Sequence, residues 1–316
     1  MNSSLDQANY QILVVGQGSG HVKLFDTSGT ILDSFTVGFN PHEIEISNKR
    51  QVFVSDFGVE DYDNTKGIPG NSISVFELDV PNVEKWLTSV HDSSTNLAPH
   101  GIKLRPPHQL ELFVNVEYGD SMLVYNISEA RIVRSFPLAK GSHNFEFSTT
   151  GDTLWVIAGD RGLYQYDANS GVELNHFKTT SPVRGLIYFH REKSLILSCL
   201  NEIYIIDAES LSTRKHISNL NVGQIIYSCL MPDGRAILAP CPYDNIVLMI
   251  DLEDGKVLDR FQTGKAPIYA RIAPGQHRAY ISNALDDHMT VIELSDLSMR
   301  DFGKIDKPNG LQFVPR

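Results

Sequence analysis

A short strand opening, usually Pro followed by one residue, recurs seven times along the chain and predicts an all-β fold, a seven-bladed β-propeller. The openings read Pro41-His42-Glu43-Ile44, Pro99-His100-Gly101-Ile102, Ser142-His143-Asn144-Phe145 and Pro182-Val183-Arg184-Gly185-Leu186. They continue as Gln224-Ile225-Ile226-Tyr227, Pro267-Ile268-Tyr269-Ala270 and Pro308-Asn309-Gly310-Leu311. Aligned on positions 42, 100, 143, 184, 226, 268 and 309, the steps are 58, 43, 41, 42, 42 and 41 residues. A period of about 40–50 residues built from short strands marks one four-stranded blade per repeat. Two further observations agree: strand-type alternation inside each repeat, and a blade divided between the two ends of the chain.

Each repeat parses into strands A to D, from the axis of the wheel to its rim. Blade one has A at 41–47, B at 51–57, C at 72–78 and D near 83–90. Blade two reads PHGIKLR, ELFVNVE, SMLVYNI and RIVRSFPL, and blade three SHNFEFS, TLWVIAG, GLYQYDA and VELNHFK. β-Branched and aromatic residues alternate with polar ones, and Gly, Asp, Asn and Pro fill the gaps. Residues 11–37 supply strands B, C and D with no strand A before them, while 308–316 supply a lone strand A. Together they complete the seventh blade, closing the ring without a covalent link and removing exposed sheet edges. Trimming the first eight residues should therefore be tolerated and removing the last eight should not.

Blade one is the outlier, partly because of a B–C insertion, Val59–Asn71. B–C loops share a face with the strand openings, so the insertion should overhang the central mouth near His42. Asp61-Tyr62-Asp63 begins like a calcium loop, but Lys66 stands where the turn needs Gly and no acid closes the loop. No calcium site of that kind is expected.

Composition narrows the function. Hydrophobic residues make up 41% of 316, enough for a large core, and a repeat running end to end argues for one domain over 1–316, with 1–10 a flexible segment. A net charge of −11 disfavours nucleic acid and anionic membranes as partners, though a local basic pocket remains compatible with it. Cys199, Cys229 and Cys241 are too few and too irregular for a disulfide framework or a zinc motif, and read as small buried hydrophobes. With no basic and apolar leader before the first strand, and no apolar run of about 18 residues, a cytoplasmic protein is expected.

The alignment defines two rings. The opening ring is His42, His100, His143, Arg184, Ile226, Ile268 and Asn309; three positions on lie Glu45, Lys103, Glu146, Ile187, Cys229, Arg271 and Gln312. Alternation along a strand predicts that the rings face opposite ways, with the second lining a hydrated, charge-balanced tunnel. His42, His100 and His143, on three successive blades, can converge on a divalent metal, or His42 and His100 can work as acid and base beside Arg184. They can equally be structural turns bonded to backbone. Ends of B strands reach the same mouth with Gln17, Asp56, Glu117, Asp160, Asn201 and Asn283. Glu117 is the expected acid–base partner, with Asp56, Asn283, Tyr269, Asn309 and Gln17 as substrate contacts. Gly16-Gln17-Gly18-Ser19-Gly20 joins two strands with no helix after it, so it reads as a turn and not a phosphate cradle. No Gly-x-Ser-x-Gly elbow supports a serine nucleophile.

Phe53-Val54-Ser55-Asp56, Leu112-Phe113-Val114-Asn115 and Tyr280-Ile281-Ser282-Asn283 resemble the YVTN-type repeat of seven-bladed propellers. Pro41-His42 with Asp56-Phe57-Gly58, and Pro99-His100 with Asn115-Val116-Glu117, resemble the lactonase family of 6-phosphogluconolactonase and the fungal muconate cyclases. Pro99 stands where that family carries Arg, and one residue separates Asn115 from Glu117. The resemblance implies that His42 and Glu117 act at the mouth on a carboxylate-bearing small molecule. The expectation is an enzyme of lactonase, cycloisomerase or lyase type, with Arg184 anchoring an anionic group. The rival is a non-catalytic propeller that binds a protein or small ligand on one face.

Overall fold

The computed structural model describes residues 10–60, 66–89 and 96–316, in seven four-stranded antiparallel sheets. Blade one is Pro41–Ile46, Gln51–Asp56, Ser72–Glu77 and Val80–Leu87; blade two is Leu97–Leu104, Glu111–Tyr118, Ser121–Asn126 and Arg131–Pro137. Blades three to six open with Asn144–Phe147, Gly185–Phe189, Cys229–Leu230 and Pro267–Ile272. The last strand, Pro308–Pro315, pairs with Tyr10–Gly16 as the innermost strand of the blade that continues with His21–Phe25 and Ile31–Thr36. The predicted ring and its closure are thus observed. Among the described residues the sole helical element is one 3-10 turn, Gly159–Arg161.

Two expectations need correction. The fourth strand of blade one is Val80–Leu87, earlier than 83–90. Tyr10, assigned to a flexible segment, begins a strand and is buried, with its hydroxyl 3.2 Å from that of Tyr280. The remainder of that segment, 1–9, lies outside the described residues, as do Asp61, Tyr62 and Asp63.

The core lies between neighbouring sheets. Second strands are buried on both faces, as Ser194–Ser198 and Ala236–Cys241 are throughout, whereas rim strands such as Ile31–Thr36 are mostly exposed. Each blade packs on the next: Val15, Phe35, Val54 and Phe76 form one cluster across the closing blade and blade one, with Phe35 stacked on Phe76 at 4.4 Å. Burying such side chains contributes about 1.5–3 kcal/mol each. Recurrent Asp residues tie the rim turns: Asp26, Asp167, Asp207 and Asp251 each accept backbone N–H groups two or three residues on. Cys199 and Cys241 are buried free thiols, and Cys229 is half-buried.

The two rings do not face opposite ways; members of both line the central shaft. Bulges between Pro41 and Ile44, Pro99 and Ile102, and Pro308 and Leu311 take the opening residues out of alternation. In blades three to five the opening residue precedes the strand, so alternation never reaches it. A third layer lies between the rings: Glu43, Gly101, Asn144, Gly185, Tyr227, Tyr269 and Gly310. It is set by bulges in blades one, two, six and the closing blade, and by residues at or before the strand start in blades three to five. Three glycines leave the space that four large polar side chains fill. A Cβ on Gly310 would stand 2.7 Å from the carbonyl oxygen of His42. Gly310→Ala should therefore lose about 2 kcal/mol of stability, read as a lower melting temperature; an unchanged transition would show that the closing strand shifts freely.

Candidate functional site: the propeller mouth

The mouth opens into a cavity of about 820 Å³ that all seven opening-ring residues line. Below the third layer lies a second cavity of about 290 Å³, lined by Lys103, Glu146, Ile187, Cys229 and Arg271 of the other ring. Lys103 pairs with Glu146 at 2.7 Å, as a charge-balanced tunnel requires. Tyr227 borders both cavities.

Three imidazoles from successive blades stack along one wall of the mouth. Ring centroids are 4.1 Å apart for His42 and His100, and 4.0 Å for His100 and His143. Phe57 meets the first two edge-on, at 5.4 and 5.0 Å. His100 is fully buried and neither ring nitrogen makes a well-formed hydrogen bond; Nδ1 of His42 likewise has none. Burial, with the neighbouring His143 adding to it, pushes the His42 pKa down to about 3 and that of His100 well below its usual value. Both are neutral at physiological pH.

His143 is placed differently. Its Nδ1 lies 2.5 Å from a carboxylate oxygen of Glu117 and its Nε2 2.8 Å from the hydroxyl of Tyr227, whose ring is parallel to the imidazole within 1°. The carboxylate fixes the ring and its tautomer, so Nδ1–H donates to Glu117 and Nε2 accepts from the phenol. Glu117 is thus partner to His143 at hydrogen-bonding distance. Arg184 lines the cavity with a buried Nε that lacks an acceptor. Lys66, Lys140 and Lys307 also border the cavity, together with Glu60, Glu117 and Asp120. This local set is richer in cations than the acidic chain as a whole. Glu60 and Lys66, on either side of residues 61–65, bring the blade-one insertion to the mouth as anticipated.

The other expected contacts divide. Gln17 and Asn309 line the cavity, joined by a 3.2 Å bond from the Asn309 amide to Gln17. Tyr269 borders the lower cavity instead. Asp56 does not reach the mouth: its carboxylate accepts from the Gly38 N–H, the Ser72 and Ser74 hydroxyls and Lys85 at 2.8 Å, tying blade one to the preceding strand. Asn283 is likewise turned into its own sheet, donating to Thr290 and to the His288 carbonyl. Asp160 and Asn201 are not among the lining residues.

Sequence reasoning missed the third layer. Glu43 is buried, 3.9 Å from His42 Nδ1 and 3.4 Å from the Asn144 amide. Burial raises its pKa to about 7 against the opposing pull of Lys103, His143 and Arg271. Two groups of side chains have ligand atoms within 4.8 Å of one another: His42, Glu43 and His100, and His100, Glu117 and His143. The expected set of three histidines therefore divides into two groups that share His100.

No protein-family model and no curated protein matches the chain, so the expected lactonase family is not shown. Among solved structures, it resembles Kuenenia stuttgartiensis hydrazine synthase with 17% identity and a TM-score of 0.75, over 90% of this chain and 92% of that one. It also resembles dihydro-heme d1 dehydrogenase NirN, solved in complex with DHE, with 12% identity and a TM-score of 0.68, over 98% of this chain and 76% of that one. At these identities the likeness establishes the fold alone. No described helix is long and apolar enough to cross a membrane.

Proposed function

We propose that the protein is a small-molecule enzyme that moves protons at the mouth on a carboxylate-bearing metabolite, in a reaction of lactonase, cycloisomerase or lyase type. The observation that carries this reading is the hydrogen-bonded line Glu117–His143–Tyr227 in the cavity that Arg184 also lines. Arg184, whose buried Nε lacks an acceptor, pairs with the substrate carboxylate. Glu117 holds Nδ1–H and stabilises the imidazolium that forms when Nε2 takes the Tyr227 proton. The phenolate oxygen then removes a proton from the substrate carbon, or from the water that opens a lactone, and the imidazolium returns its proton through the phenol to the leaving oxygen. Tyr227 needs this help, since burial, with the Glu43 and Glu117 charges adding to it, raises its pKa well above the usual value. His42 and His100, held neutral, are poor proton donors, so the acid–base roles expected of them pass to His143 and Tyr227.

The test is a panel of sugar-acid lactones and unsaturated dicarboxylates, followed by acid release and product analysis. Turnover of one class is expected, reduced on the order of 100-fold in Glu117→Gln and Tyr227→Phe. Arg184→Leu should raise KM for the anionic substrate more than it lowers kcat. Binding without turnover would overturn the enzymatic reading in favour of a ligand-binding propeller, and turnover indifferent to both variants would overturn the proton line.

A further inference from the structure

We propose that His42, Glu43 and His100 form a site for one divalent transition-metal ion, in the wall of the cavity beside the proton-transfer line. The bulge in Pro41–Ile46 carries the first part of the argument. Pro41 pairs with Asp56 and Ile44 with Val54, so His42 and Glu43 both sit outside the regular pairing. Regular alternation would send these adjacent side chains to opposite faces. Here His42 Nδ1 lies 3.9 Å from the Glu43 carboxylate, and the donor atoms of His42, Glu43 and His100 all lie within 4.8 Å of one another. Donors around a tetrahedral ion with bonds of about 2.0–2.1 Å stand about 3.3 Å apart, so modest side-chain movement closes the set.

The second part is independent of the spacing. His100 is 0% exposed, and neither of its ring nitrogens makes a well-formed hydrogen bond, the backbone of His143 being a near neighbour; His42 Nδ1 likewise has none. Buried polar atoms are nearly always bonded, and each of these two neutral, tilted rings offers one ring-nitrogen lone pair that a metal ion would accept, the other nitrogen of each ring carrying the proton. The edge of Phe57 stands against both rings and fixes their orientation.

The other group sharing His100 fits an ion less well. Both His143 nitrogens are engaged, at 2.5 and 2.8 Å, and an ion there would break the line to Glu117 or Tyr227. Glu43 gives up only a 3.4 Å bond from Asn144. Two imidazoles and one carboxylate suit Zn²⁺, Co²⁺, Ni²⁺ or Fe²⁺ better than Mg²⁺ or Ca²⁺, which prefer all-oxygen sets. Three protein ligands leave a position open to substrate or water. The proposal stands apart from the proton-transfer reading, because metal is measured without substrate.

The experiment uses untagged, chelator-treated protein titrated with CoCl₂ by visible absorption and with ZnCl₂ by calorimetry. One ion per chain and the intense bands of low-coordinate Co²⁺ are expected. Glu43→Gln, nearly isosteric, should weaken binding about 100-fold, and His42→Gln should do the same if His100→Ala does not fold. Glu117→Gln should leave the affinity within a few-fold. Absence of stoichiometric binding would overturn the proposal. So would binding that survives Glu43→Gln, or that is lost in Glu117→Gln and retained in Glu43→Gln.

Discussion

A chain ending at Lys307 is expected to show no cooperative thermal transition. The removed strand is the inner edge of a blade and the seal of the ring. Pro308–Pro315 pairs with Tyr10–Gly16 from Tyr10↔Pro315 to Gly16↔Pro308. It buries Leu311 and Val314 completely. It also accepts from Arg271 at Leu311, from Ser282 at Asn309 and from Arg50 at Pro315, while Gln312 donates to Ile44. Side-chain burial alone contributes about 1.5–3 kcal/mol per large residue. Added to the lost sheet bonds and the exposed edge of Tyr10–Gly16, the deficit reaches the whole stability of a typical domain, about 5–15 kcal/mol. Calorimetry decides it: a transition within a few degrees of the parent would refute non-covalent closure. A synthetic peptide of residues 308–316 should restore cooperativity in the truncated chain.

The second expectation concerns Glu43 in metal-free protein. Its carboxyl is raised to about 7 in the folded chain from 4.5, chiefly by burial. A raised acid has the opposite sign to the usual salt-bridged carboxylate. Below pH 4.5 it is protonated in both states and contributes nothing. Between 4.5 and 7 the unfolded chain releases its proton first, so folding loses stability as pH rises. Above 7 the loss is complete, about 3 kcal/mol. Glu43→Gln, neutral throughout, should match the parent near pH 4 and exceed it by up to about 3 kcal/mol at pH 8. Denaturant midpoints at the two values measure this; an equal difference at both would show that the gain does not come from ionisation.

The ring was readable because every blade repeats the same hydrophobic problem, and the divided blade follows from counting strands. The openings were also readable: the aligned positions 42, 100, 143, 184, 226, 268 and 309 all reach the mouth. What failed was parity. Alternation applies to paired residues, and the bulges after Pro41 and Pro99 take His42 and His100 out of the ladder. The first bulge hid Glu43, and Tyr227 was hidden because it precedes its strand, although Gly101, Gly185 and Gly310 at equivalent positions were a signal that bulky neighbours needed room. Asp56 and Asn283 looked like mouth residues because they end B strands. Their side chains turn instead to Ser74 and Thr290, polar residues on the adjoining strand, which a one-dimensional register cannot foresee.

Asn144, Tyr227 and Tyr269 line the lower cavity, Tyr227 borders the upper one as well, and Glu43 is bonded to Asn144, so these side chains stand between the two cavities. For a molecule handled at the mouth, the wheel is therefore a cul-de-sac and not a corridor. In the proposed reaction, reactant and product would share the mouth that Lys66 and Glu60 of the insertion border. Under that proposal each turnover would clear the mouth before the next begins, so compounds shaped like the product should act as competitive inhibitors.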